Sequence, residues 1–182
     1  MMFARSLRPF AECWPVAVIC CALSLTAGSI GSAQDEISSI GHALKATVLD
    51  VTTYPAAILH YDSTMRDWKS SQPLLQHGFV EQNPRFTLSG LSNDRPVSYG
   101  AGKNQILRDA VSVLAVTAAH NFATRLIEDA MKARYPEHRK MVAVVGWIER
   151  IGLSSYLSYH VSAAHYRQWK RNERLAAQLG IR

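Results

Sequence analysis

Three stretches beyond residue 33 are apolar for about 20 residues, the length that crosses a hydrocarbon core, yet none is free of charge. The first, from about Ser38 to Tyr61, holds Lys45 and Asp50. The next, from about Asn104 to Ala133, holds Arg108, Asp109, His120 and Asn121. The last, from about Glu137 to Leu179, holds Glu149 and Arg150 side by side. A charge at the bilayer centre costs about 2.5–3.5 kcal/mol, whereas one apolar residue returns only a few tenths. These stretches therefore read as amphipathic helices of a bundle rather than as independent spans.

Their periodicity agrees. Ala43, Leu44, Ala46, Val48, Leu49 and Val51 form one helical stripe, and Ile106, Leu107, Ala110, Val111, Val113 and Leu114 form another. Alternating strand patterns with hairpin turns are missing. The expected fold is all-α, a small bundle of three to four helices. Pro55 should kink the first helix or start a new one, because proline lacks the N–H that the preceding turn needs. Pro73, Gly78, Pro84, Gly90, Pro96, Gly100 and Gly102 mark a long connection over residues 70–104.

Residues 1–33 have a different character. Arg5 and Arg8 precede an apolar run from Trp14 to Ala27, and Gly31-Ser32-Ala33 supplies small residues before Gln34. This order predicts a signal peptide cleaved after Ala33, or an uncleaved anchor helix. Residues 34–182 then form a single helical domain, exported to the periplasm or held at the inner membrane. All three cysteines, Cys13, Cys20 and Cys21, fall in the leader, so the remainder has no thiol for a disulfide, a zinc site or a nucleophile. The net charge is +6. An excess of this size does not demand a nucleic acid, and export argues against one. Membrane lipid is the expected partner, and a protein partner is compatible with the sequence. The basic run from Arg167 to Arg174 reads either as a solvated helix end or as a membrane exit with Tyr166 and Trp169 at the interface.

Gly78-Phe79-Val80-Glu81-Gln82-Asn83-Pro84 resembles the Gly-x-x-Glu-x-Asn-Pro turn of an uncharacterised family of small bacterial membrane proteins. In that family the turn follows a helix with an Asp and one or two Thr, here either Asp62-Ser63-Thr64 or Asp50-Val51-Thr52-Thr53. The resemblance implies an architecture and a polar cluster, and no reaction.

Complete catalytic frameworks are missing. Gly100-Ala101-Gly102-Lys103 lacks both the first glycine and the hydroxyl residue of a phosphate loop. His160 and His165 are five apart, not the four of a helical zinc pair. No metal or cofactor is expected, and a catalytic set is not identifiable. The residues singled out are Asp50, Asp62, His77, Glu81, Asn83, His120, Asn121 and Glu149. Asp50, Asp109, His120, Asn121, Glu149 and Arg150 face one another if the helices lie in lipid, and mostly face water if the bundle is soluble, which is the expected case. Glu81 either organises the long loop or faces solvent while Asn83 caps a turn. The chain thus reads as an envelope protein with a non-catalytic structural or interaction role. The alternative is a small membrane enzyme or transporter with a polar centre built on Asp50, His120 and Glu149.

Overall fold

A computed structural model describes residues 33–181, with side chains from Ser38 onward. The leader and its cysteines lie outside the described residues. Within them the fold is all-α. The helices are α1 (Ala33–Leu49), α2 (Pro55–Gln76), α3 (Tyr99–Arg134) and α4 (Arg139–Gln178). Pairing of extended backbone among the described residues is limited to two isolated antiparallel bridges, Glu81 with Asp94 and Thr87 with Pro96.

Pro55 begins a new helix rather than kinking the old one. It occupies the first turn of α2, where its missing N–H costs nothing. The long connection is shorter than expected. Helix α2 continues through Pro73 to Gln76 and ends where Gly78 adopts φ +90°. There the Phe79 N–H returns to the Leu74 carbonyl, closing the helix end around a left-handed residue. At the other side α3 begins at Tyr99, so Gly100 and Gly102 are helical. Ser98 caps it, its Oγ accepting the Ala101 N–H at 3.2 Å.

The described residues group into two compact units, and α3 and α4 each contribute to both. One unit comprises α1, the 3-10 turn Val51–Thr53, and residues 115–153 of α3 and α4. Here α3 and α4 are joined by the short segment 135–138 and pack as an antiparallel hairpin, with Gly146 and Arg150 beside Glu128. Its buried side chains are largely polar: Thr47, Asp50, Thr52, Thr53, Thr117, Asn121, Glu128 and Arg150, with only Ala43, Ala123 and Val142 as buried apolar residues.

The other unit comprises α2, the connection, residues 99–114 of α3 and residues 154 onward of α4. Its core is Met65, Trp68, Phe86 and Ile106. Trp68 stacks on Phe86 with centroids 5.1 Å apart and donates its indole N–H to the Tyr99 carbonyl at 3.2 Å. Gly102 makes room for this ring: a Cβ there would lie 2.4 Å from Trp68 Cε2. Helix α4 pairs with α2 through successive contacts that advance together, Asp62 with Tyr166 and Asp67 with His165 and Asn172, so these helices run parallel. The end of α4 is therefore not simply solvated. Asn172 is buried and bonds Asp67, Ser70 and Ser71.

The tight Trp68–Gly102 contact gives the first prediction. Gly102→Ala should lower stability by about 1–3 kcal/mol, the usual cost of overpacking a core. Gly100→Ala, with open space around the added methyl, should be neutral or slightly stabilising. Thermal unfolding of the two variants beside the parent distinguishes them.

Candidate functional site: a buried polar centre

The centre starts with the way α1 ends. Asp50 follows the last residue of α1, and its Oδ1 accepts the Thr52 N–H at 3.0 Å and the Thr52 hydroxyl at 2.7 Å. Such a side-chain-to-backbone bond two residues on is the local alternative that makes Asp a helix terminator. It turns the chain so that Thr52 and Thr53 point inward while Val51, just before them, is 78% exposed.

The threonine hydroxyls are then used in both directions. Thr53 donates to the Thr47 carbonyl at 2.9 Å and Thr52 donates to Asp50. Both accept from the Asn121 side-chain amide, at 2.9 and 3.0 Å respectively. One helical turn before Asn121, Thr117 donates to the Thr53 carbonyl at 2.8 Å. Asn121 is 2% exposed, so these bonds are its replacement for water.

Charges complete the centre. Asp50 Oδ2 accepts from Arg125 Nη2 at 2.7 Å and lies 3.0 Å from Arg150 Nε. The latter is an ion pair with poor hydrogen-bond alignment, which leaves the Arg150 Nε–H without a bond. Arg150 Nη1 donates to Glu128 Oε2 at 2.8 Å, and Lys132 donates to the other oxygen of Glu128. Asp50 and Glu128 are thus paired with Arg125, Arg150 and Lys132, so neither buried carboxylate lacks a counter-charge. Gly146 permits it, because a Cβ there would sit 2.7 Å from Glu128 Oε2 and 3.2 Å from Arg150 Nη1.

His120 and Glu149 pair separately. His120 Nε2 is hydrogen-bonded to Glu149 Oε1, and Thr124 donates to Glu149 Oε2 at 3.1 Å. This is not a nucleophile–base arrangement. Glu149 meets the same imidazole nitrogen that would have to accept the Thr124 proton, rather than orienting the ring from its far side. Among the described residues no three His, Cys, Asp or Glu side chains converge in a way that could hold a metal ion.

The remaining predicted residues belong to the other unit. Asp62 accepts from Arg66 Nε at 2.7 Å and from the Tyr166 hydroxyl at 2.8 Å. His77 is exposed and bonds the Pro73 carbonyl. Glu81 and Asn83 share one turn: Glu81 Oε1 accepts the Asn83 N–H at 2.8 Å, and Asn83 Oδ1 accepts the Arg85 N–H at 3.1 Å. Glu81 also exchanges backbone bonds with Asn93 and Asp94, so it ties the two sides of the connection. Burial pushes its carboxyl above the usual range, and the negative field of Asp67 adds to this. The Asn83 N–H opposes the shift without cancelling it.

The expectation that most of the intrahelical polar residues face water is thus corrected. Asp50, Asn121 and Arg150 are buried, Asp109 is half-buried and paired with Arg85, and Glu149 keeps substantial exposure. Sequence reasoning missed Arg125, Glu128 and Gly146. A signal was present: Thr117, Asn121, Arg125, Glu128 and Lys132 recur at spacings of four and three, a polar stripe on one helix face. Comparison with protein-family models, curated proteins and solved structures finds no match for this chain.

Two predictions follow from this geometry. Arg150→Met leaves Glu128 and Asp50 short of a buried counter-charge and should cost about 3–5 kcal/mol. The double variant Glu128→Gln/Arg150→Met should lose less than the two single losses added together, a coupling that denaturant titration of all four proteins measures. For Glu81, a raised carboxyl pKa means that its contribution to stability is fully present below the ordinary glutamate range and is lost as pH rises through the raised value. Glu81→Gln should therefore gain on the parent as pH rises from about 4 to 7, and melting curves across that range should show the gap opening.

Proposed function

We propose that this chain is an exported bacterial envelope protein, embedded in the membrane through its first unit and serving a non-catalytic structural or interaction role. One observation carries this reading: the first unit is polar inside and apolar outside. Leu44, Val48, Leu49, Val51, Val116, Met141, Val144, Val145, Trp147 and Ile148 are all exposed there, while Asp50, Asn121, Glu128 and Arg150 are buried. In water this arrangement exposes what hydration disfavours and buries what it favours. In hydrocarbon both signs reverse.

Three further features support it. Helix α3 is long and apolar enough to cross a membrane, and only 22% of its most apolar window is buried. From Ala110 to Thr124 it carries no Asp, Glu, Lys or Arg. Within the first unit the buried positions of α4 are Val142, Gly146 and Arg150, and Gly146 is a small residue of the kind that lets helices approach closely in lipid. The non-catalytic reading rests on the closed character of the ionic centre, in which each carboxylate is already held by two basic side chains.

A second reading, a small membrane enzyme or transporter, is favoured by the His120–Glu149 pair. It is ionisable and partly open, with Glu149 side-chain exposure of 42%. Glu149→Gln should then abolish any proton-coupled flux in reconstituted vesicles; folded, inserted protein that supports no such flux removes this reading.

Membrane insertion is directly testable because residues 34–182 contain no cysteine. With Cys13, Cys20 and Cys21 changed to Ser, single cysteines at Val48 or Val144 should resist a water-soluble maleimide in intact membranes. Single cysteines at Lys103 or Arg171 should label once the reagent reaches both faces. The full chain should also stay in the pellet after an alkaline carbonate wash. Release by the wash, with positions 48 and 144 labelling freely, would show a soluble bundle instead.

A further inference from the structure

The second unit carries a groove of about 980 Å³ between α2 and α4 that the polar centre does not use. Its walls include Tyr61, Met65, Pro73, Ala177 and Ile181, and its charged edge is formed by Arg66 and Lys69. These cations are three apart on α2, hence on one face. Arg66 is held from behind. Its Nε donates to Asp62 at 2.7 Å, Tyr166 fixes the same carboxylate oxygen, and the guanidinium lies over the Trp169 ring at 4.8 Å. That leaves its terminal amino groups without a hydrogen bond among the described residues. Lys69 is exposed and has no ion-pair partner among them.

The two acidic side chains of the groove are occupied. Asp62 is bound as above, and Glu173 accepts from the Trp169 indole at 2.6 Å and from Lys170 at 3.0 Å. Lys170 also sits 3.7 Å from the Trp169 ring centre. Arg66 is paired with Asp62 and Glu173 with Lys170, so the ammonium of Lys69 is the uncompensated charge of the lining. A planar donor fork beside a mobile ammonium suits a phosphodiester. The apolar walls and the indole at the rim suit the start of an acyl chain, which a free phosphate lacks.

We propose that this groove binds the headgroup and upper acyl region of an anionic phospholipid, with Arg66 and Lys69 on the phosphate and Trp169 at the level of the interface. The proposal rests on the membrane reading above and adds to it a lipid class and two recognising side chains. Seating a lipid here ties α2 to the end of α4 at the membrane surface.

The test uses the full chain, extracted in mild detergent from vesicles of equal phosphatidylglycerol and phosphatidylcholine, with co-purified lipid counted by mass spectrometry. The parent should retain phosphatidylglycerol in preference. Lys69→Gln, which breaks no bond of the fold, should cut that preference about fivefold, and Arg66→Gln/Lys69→Gln further, at about 1 kcal/mol per cation near an anionic surface. Arg139→Gln/Lys140→Gln, far along α4, should leave it unchanged. Equal retention of the two lipids, indifference to Lys69→Gln, or displacement of the retained lipid by millimolar inorganic phosphate alone overturns the proposal. Protein that resists the carbonate wash but shows no lipid preference overturns only this inference; protein found soluble overturns the membrane reading as well.

Discussion

The guanidinium of Arg150 is the group that the first unit is arranged around. It is 2% exposed, and removing a cation from water costs several kcal/mol before any partner is found. The partners come from two other elements: Asp50 from the end of α1 and Glu128 from α3. A shift of either helix by one residue would turn its carboxylate away, so the pairing fixes register as well as neutralising charge. Gly146 belongs to the same constraint, since any larger residue one turn before Arg150 would occupy the space of the Glu128 carboxylate. The paired charges are better understood as a device of specificity than as a source of net stability.

Why the chain accepts such a centre follows from what surrounds it. A soluble bundle has the option of turning Asp50, Asn121 and Arg150 outward at no desolvation cost. Here the outward positions are taken by Leu49, Val51, Val145 and Ile148. On the membrane reading the choice is forced, because a hydroxyl or amide facing lipid has no partner, while one facing another helix does. The economy of the Thr52, Thr53 and Asn121 bonds fits this condition. Each hydroxyl gives one bond and receives one, and the Asn121 amide nitrogen is shared between both threonines.

Much of the backbone was legible in the sequence because it depends on local chemistry. Pro55, Gly78 and Asn83 act through their own φ angles and side chains, and each marks the boundary it was expected to mark. What was not legible depends on residues distant in the chain. Gly102 read as loop flexibility, yet its meaning comes from Trp68, which fills the space its missing side chain leaves. Pro73 read as a break, but it falls in the last turns of α2, which continues to Gln76. The direction in which Asp50 or Arg150 points is set by helix pairing, and a single-helix pattern contains that information only as a stripe of polar residues. Glu128 was overlooked because its Arg125 and Lys132 neighbours make it look like an exposed ion-pair ladder. The same spacing serves a buried one.

The length of α3 sharpens the membrane reading. Its 36 residues span about 54 Å at 1.5 Å per residue, well beyond a hydrocarbon core of about 30 Å. Only part of it can lie in lipid, and the charges say which part. The uncharged stretch from Ala110 to Thr124 covers about 22 Å by the same rise, short of a full core. Extending it toward the N-terminus meets Asp109 and Arg108; extending it toward the C-terminus meets Arg125 and Glu128. Of these, Arg125 and Glu128 are already neutralised inside the first unit, and Asp109 is paired with Arg85 and bonded by Gln105. On the membrane reading the helix can therefore make up the missing length toward its C-terminus without presenting an unpaired carboxylate to hydrocarbon, whereas toward the N-terminus Arg108 is exposed. An independent span could not; on the membrane reading the partners on α1 and α4 are what let α3 serve as one.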